Sequence, residues 1–187
     1  MGKFGAPLAM HRQKADMYAV RIMSPRMSAE DARFFHRTTY IPSMRYGLSA
    51  VALDEDELAN VQSCILQVTL KNLNVQSTIP ASIRHGPKEL GGLELYDLST
   101  EAGIESIKFF RDALYADSEN GRLLRLNLQY SQLEAGIGDS LLEHPGLHLA
   151  YLTPTWLLSL RQFMSNHNMT ITKIRTLCST CRRYVRC

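Results

Sequence analysis

Two short groups of residues have the types and spacing that chemistry would need. Tyr115-Ala116-Asp117-Ser118 places an aromatic residue two positions before an acid. A second acid at 118 would make the paired carboxylates that, set in a hairpin, hold two magnesium ions for phosphoryl transfer. The second position is Ser118, and one carboxylate cannot supply that clamp. The tetrad reads instead as a helix C-terminus followed by an N-cap serine. At the other end of the chain, Cys178 and Cys181 are separated by two residues and Cys187 follows six positions later. This is the opening spacing of a zinc site, with Arg182, Arg183 and Arg186 placed to meet a phosphate backbone beside it. Three thiolates are one short of a closed tetrahedral set, and His167 is the nearest candidate fourth ligand. The competing readings are a disordered basic tail and an out-of-frame terminus.

The remaining chemistry-bearing residues form no recognisable set. His11, His36, His85, His144, His148 and His167 are scattered and have no serine or cysteine partner at a nucleophile spacing. Phosphate-cradling loops, dinucleotide-binding glycine turns and His-Glu-x-x-His are all absent. The sequence therefore predicts a chain without catalytic residues, without a small-molecule substrate and without a cofactor other than the candidate zinc.

Charge is unevenly distributed along the 187 residues. Residues 1–46 carry eight Lys/Arg against three Asp/Glu, residues 47–172 carry eight against fifteen, and residues 173–187 carry five against none. The middle of the chain is thus unsuited to general polyanion binding, and nucleic-acid contact must come from the ends or a local cluster. Arg33 and Arg37 are four apart and share a helix face, and Arg45 follows Pro42 and can turn toward the same side.

The elements that must position these residues are helical. Residues 8–24 carry Leu8, Ala15, Tyr18, Ala19 and Ile22 at helical spacing, with His11, Arg12, Lys14 and Arg21 assigned to the outer side. Ser28 and Asp31 form a short-armed capping box for a helix through about Thr39, with Phe34 and Phe35 as its core contacts. Pro42 predicts a kink or a new short helix. Asp54 and Glu57 cap the cleanest amphipathic helix, marked by Leu58, Val61, Ile65 and Val68. Pro80 opens a short helix through about Arg84. Gly86-Pro87 and Gly91-Gly92 then form a hinge, and Ser99 or Thr100 caps a helix that opens at Glu101 and carries Ile104, Ile107, Phe110 and Leu114. Leu58, Val61, Ile65, Ile104, Ile107 and Phe110 are expected to be buried together. Further helices carry Leu123, Leu126, Tyr130 and Leu133, and Trp156, Leu157, Leu160 and Phe163. Residues 169–174 read as a short extended run. The fold expected is mainly α, a single irregular helical bundle over residues 1–168 followed by a basic cysteine-bearing tail over 169–187.

Two stretches together carry a resemblance. Lys88, Gly91, Gly92, Leu93, Leu95, Asp97 and Leu98 resemble the region just downstream of the reverse-transcriptase palm in non-LTR (LINE-like) retrotransposon polyproteins. Upstream, Tyr40-Ile41-Pro42-Ser43-Met44-Arg45-Tyr46-Gly47 is similar to that family's Leu-Pro-x-x-x-Tyr helix, with Ile41 in the leucine position. The order and approximate spacing agree, and the likeness covers about residues 10 to 135. It implies a thumb-like helical region that grips an RNA or DNA template-primer duplex without catalysis of its own, and it makes Arg33, Arg37, Arg45 and Lys88 the candidate contacts. In that family the catalytic acids lie upstream of the proline-tyrosine helix, whereas Tyr115–Ser118 lies downstream of the glycine pair. The family's downstream zinc knuckle also has a histidine between its cysteines, which is missing here. Two other functions fit the residues: a small helical protein-interaction module, and a zinc-dependent nucleic-acid binder built on the tail. The apolar runs are far shorter than the ~20 residues needed to span a bilayer, and four cysteines in so long a chain suggest no disulfide framework. An intracellular, reducing compartment is expected, and composition is silent on oligomeric state.

Overall fold

The computed structural model describes residues 5–23, 27–48, 51, 53–138, 141–147, 149, 152 and 155–171. The chain is mainly helical, with no strand among the described residues. It gathers into two compact units, Met1–Lys108 and Phe109–Cys187, where composition alone sets a boundary only near residue 168. No helix among the described residues is long and apolar enough to cross a membrane.

In the first unit, α1 (Gly5–Ile22) packs along α4 (Glu55–Asn72). Ala15, Tyr18, Ala19 and Ile22 recur on one side of α1 and are buried with Leu58, Val61 and Ile65 of α4. The end of α1 is tied to α4 by Asn72, whose side-chain amide donates to the Ile22 carbonyl at 2.8 Å. His11, assigned by its polarity to the outer side of α1, is instead buried. It lies one turn before Ala15 on the inner face, beside Gly47, where an added Cβ would stand 2.9 Å from its ring.

α2 (Ala29–Phe35) begins at the expected capping box: the Asp31 amide donates to Ser28 Oγ at 3.1 Å, and the Ser28 amide to the Asp31 carboxylate at 3.4 Å. Of the two phenylalanines expected in the core, Phe35 packs against Tyr18, and Phe34 is exposed. Pro42 does not break the chain. α2 runs through one π turn, His36–Tyr40, directly into α3 (Ile41–Leu48). The Ile41 amide reaches back five residues to the His36 carbonyl, so Pro42, which has no N–H to give, falls where the hydrogen-bond register has already shifted. Ser43 Oγ donates to the Tyr40 carbonyl at 2.8 Å.

α4 also starts at its expected box, with the Glu57 amide donating to Asp54 Oδ1 at 2.7 Å. Its buried face is wide enough to serve a second small core, in which Leu66 and Leu70 meet Leu95. α5 (Ala81–His85) leads to the glycine-rich hinge, which folds back on it. The amides of Leu93, Glu94 and Leu95 donate to the carbonyls of Ile83, Gly86 and Arg84 at 2.9, 3.0 and 3.1 Å. Gly91 has a φ of +81°, and an added Cβ on Gly92 would lie 2.1 Å from the Gly86 carbonyl oxygen, so both glycines are required.

α6 (Leu98–Tyr115) starts earlier than its serine and threonine suggest. Its cap is Asp97, whose carboxylate accepts from the Thr100 amide at 2.9 Å. The buried residues are not all those expected. Leu98 and Ala102 join the first core, Ile104 is exposed and Ile107 half-buried, and Phe110 is buried in the second unit. Gln62 of α4 fixes this start. Its buried side-chain amide donates to the Tyr96 carbonyl at 2.7 Å and accepts from the Leu98 amide at 2.9 Å.

The second unit holds the end of α6, α7 (Glu119–Ala135) and α8 (Trp156–Asn166). Ser118 caps α7 as expected, accepting from the Gly121 amide at 3.2 Å, and Gly136 ends it with a φ of +67°. α8 buries Leu157, Leu160 and Phe163, with Trp156 edge-on to Phe109 at 5.7 Å. Its cap is Thr155; the expected start, Thr153-Pro154, lies outside the described residues. Arg161 is buried and donates to the carbonyls of Leu141, at 3.1 Å, of His144, at 3.0 Å, and of Leu147. The first residues of the expected extended run, 169–171, form no strand, and the rest lies outside the described residues.

Replacing Gln62 by Leu strands the buried Leu98 N–H and the partly buried Tyr96 carbonyl. The expected cost is about 2–4 kcal/mol in urea unfolding, while Gln67→Leu on the exposed side of α4 should stay within about 0.5 kcal/mol of the parent.

Candidate nucleic-acid interface

The continuous arm from Ala29 to Leu48 carries three of the four candidate contacts, Arg33, Arg37 and Arg45, and Lys88 lies in the 3₁₀ turn Lys88–Leu90 of the hinge. Hydrophobic burial determines where the arginines can point. Ala32, His36, Tyr40, Ile41, Met44 and Leu48 turn inward, so the arginines are left at the margins of the arm.

Their surroundings differ. Arg37 is exposed, stands 3.7 Å from Glu94 and lies over the Tyr96 ring at 5.4 Å. The Arg37 and Glu94 side chains are 53% and 39% exposed, so this ion pair contributes at most about 1 kcal/mol and can be exchanged for another anion. Arg45 is more tightly held. It pairs with Glu101 and stands 3.5 Å from Glu105, two carboxylates one turn apart on α6, and Glu101 is buried. Removing Arg45 would leave that carboxylate uncompensated. Arg33 is half-buried, and its Nε has no hydrogen-bond partner among the described residues. Lys88 is exposed. Arg37 and Arg45 thus each face acids and do not form one bare cationic cluster. The acids themselves were visible in the sequence as Glu101 and Glu105, four apart on one helix face.

Two aromatic residues on the same arm are exposed, Phe34, which was expected in the core, and Tyr46 of the proline-tyrosine stretch, and each is adjacent to a candidate arginine. Cys178, Cys181 and Cys187 lie outside the described residues. Among the described residues no group of three or more His, Cys, Asp or Glu could hold a metal ion. The Tyr115–Ser118 tetrad is divided between the end of α6 and the cap of α7, with Asp117 exposed between them.

Behind the arm lies a polar group that sequence reasoning placed in no site. His36 is buried against Tyr40, ring centroids 5.4 Å apart, and neither ring nitrogen finds a hydrogen-bond partner among the described residues. Burial, reinforced by nearby His85, pushes its imidazole down to about 4. His11 is lowered for the same first reason, with Lys14 adding to it. In both, burial disfavours the charged imidazolium.

No family model matches this chain, and no curated protein or solved structure matches it either.

Two measurements check these assignments. Arg45→Ala should cost about 1–3 kcal/mol in chemical unfolding, because Glu101 loses its partner, and Arg37→Ala should cost less than about 1 kcal/mol. Below pH 6.5 the unfolded chain takes up protons that folded His36 refuses, so stability is lost as pH falls from about 6.5 toward about 4. His36→Leu should shrink the drop in unfolding free energy between pH 7 and pH 4.5 by about 2–3 kcal/mol relative to the parent.

Proposed function

We propose that the chain is the helical region that follows the palm in a retrotransposon-derived reverse transcriptase, and that it contacts a template-primer duplex without catalysing synthesis. The observation that carries this reading is the convergence of the two stretches on which the resemblance rests. Tyr40, Ile41, Met44 and Leu48 share one core with Leu98, and Arg45 joins the two segments through Glu101. Segments separated by about fifty residues in sequence are thus parts of one local structure.

In this reading the arm meets the duplex through shape and charge. Arg37 exchanges its weak pairing with Glu94 for a phosphate, Arg33 and Lys88 lie along the same strand, and Phe34 and Tyr46 offer aromatic faces to sugars or unpaired bases. Arg45 acts from within by holding α3 to α6. The chain contributes grip, and the carboxylate pair for the chemistry belongs to a preceding palm.

The carboxylates facing Arg37 and Arg45 favour a second reading, a helical protein-interaction module whose surface charges are matched internally. Salt-dependent binding separates the two. On an RNA–DNA heteroduplex, Arg33→Ala with Arg37→Ala should flatten the slope of log K against log salt by about 2, and Lys88→Ala by about 1, whatever the duplex sequence. Comparing variants with the full-length parent cancels any contribution from the basic C-terminus. No binding, or a slope unchanged by all three substitutions, leaves the interaction module as the function.

A further inference from the structure

α7 is apolar on two opposite faces. Toward its own unit it turns Gly121, Leu128 and Ser131, all buried, and an added Cβ on Gly121 would lie 2.5 Å from the carbonyl oxygens of Ala113 and Ala116. Arg125 reinforces that contact by donating to the Leu114 carbonyl at 2.8 Å. On the other side, Leu123, Leu126, Tyr130 and Leu133 are 51% to 83% exposed. Their spacing of three, four and three is the first-and-fourth pattern of a heptad, carried through two repeats on a 17-residue helix. A helix at a protein surface ordinarily presents charge there.

We infer that this stripe is a seam between two copies of the chain, closed by pairing α7 with α7. Area and charge both point to a second copy. The four side chains expose roughly 400–500 Å² of largely apolar surface, as large as the biggest patch an ordinary monomer carries. Doubled across a two-fold axis it reaches about 1,000 Å², the lower bound for a specific interface. The stripe is flanked by Arg122, Asn127, Gln129 and Glu134, so amides fill the middle positions and like charges do not oppose one another in either helix direction. Tyr130 can keep its hydroxyl at the wet edge of the seam. The seam uses no residue of the arm from Ala29 to Leu48.

Sedimentation of the full chain from about 1 to 300 µM tests the pairing, with a dissociation constant on the order of 10 µM expected for a seam this small. Leu126→Glu with Leu133→Glu should weaken association more than about 100-fold. The milder Leu126→Ala with Leu133→Ala should weaken it about 10-fold with the circular dichroism unchanged. A parent that stays monomeric throughout, or a dimer indifferent to both pairs of substitutions, overturns the inference. So does a large drop in melting temperature of the variants at concentrations too low for pairing, which would show the face covered from within the chain.

Discussion

The first unit depends on a single buried amide. Gln62 is buried on α4, and its two polar atoms are used by the backbone on either side of Asp97: the carbonyl of Tyr96 and the N–H of Leu98. The site demands a donor and an acceptor on one planar group. Glutamate has no donor, leucine has neither, and asparagine is a methylene shorter. Because these bonds are buried, the cost of leaving them unmade exceeds the gain from making them, and the entry to α6 is held to one register. That register places Leu98 and Ala102 in the core and turns Glu101 and Glu105 toward Arg45. The hinge before it is fixed by sterics at Gly86 and Gly92, so turn and amide together define how α6 leaves α4.

The electrostatics follow from this geometry. The arginines that stood out in the sequence for their spacing are separated in the structure by what faces them. An exposed ion pair such as Arg37–Glu94 is weak and replaceable, whereas Arg45 neutralises a carboxylate that folding has taken out of water. Residues of one type on one arm therefore play different parts, one available to a ligand and one committed to the fold.

Much of the fold was legible in the sequence because its signals were local. The capping boxes at Ser28 and Asp54, the apolar spacing of α4 and the Ser118 cap each involve residues within a turn of one another. The misses involve partners distant in sequence. Ile104 and Ile107 have helical spacing, yet it is Leu98 and Ala102 that enter the first core, where the Leu98 amide donates to Gln62, thirty-six residues before it. His11 looked polar and is buried beside Gly47. On α7 the most regular leucine spacing marks the outer face, because backbone-to-backbone contact at Gly121 claims the inner one. The candidate contacts were legible as residue types, but their pairing with Glu94 and Glu101 was not.

The π turn at His36–Tyr40 has a consequence for how such a chain can vary. An α-helix holding one extra residue in a turn is out of phase by about 100° beyond it. Deleting any one residue between 36 and 40 would restore ordinary helical winding and swing everything after it a quarter-turn or more about the axis. Met44 and Leu48 would leave the core, Arg45 would lose sight of Glu101, and the proline would meet a turn that expects its missing hydrogen. Point substitutions on the outer side of this segment alter only the surface, whereas a change in its length alters the phase of the whole arm. Related chains should therefore be free to differ in composition here while keeping the same number of residues.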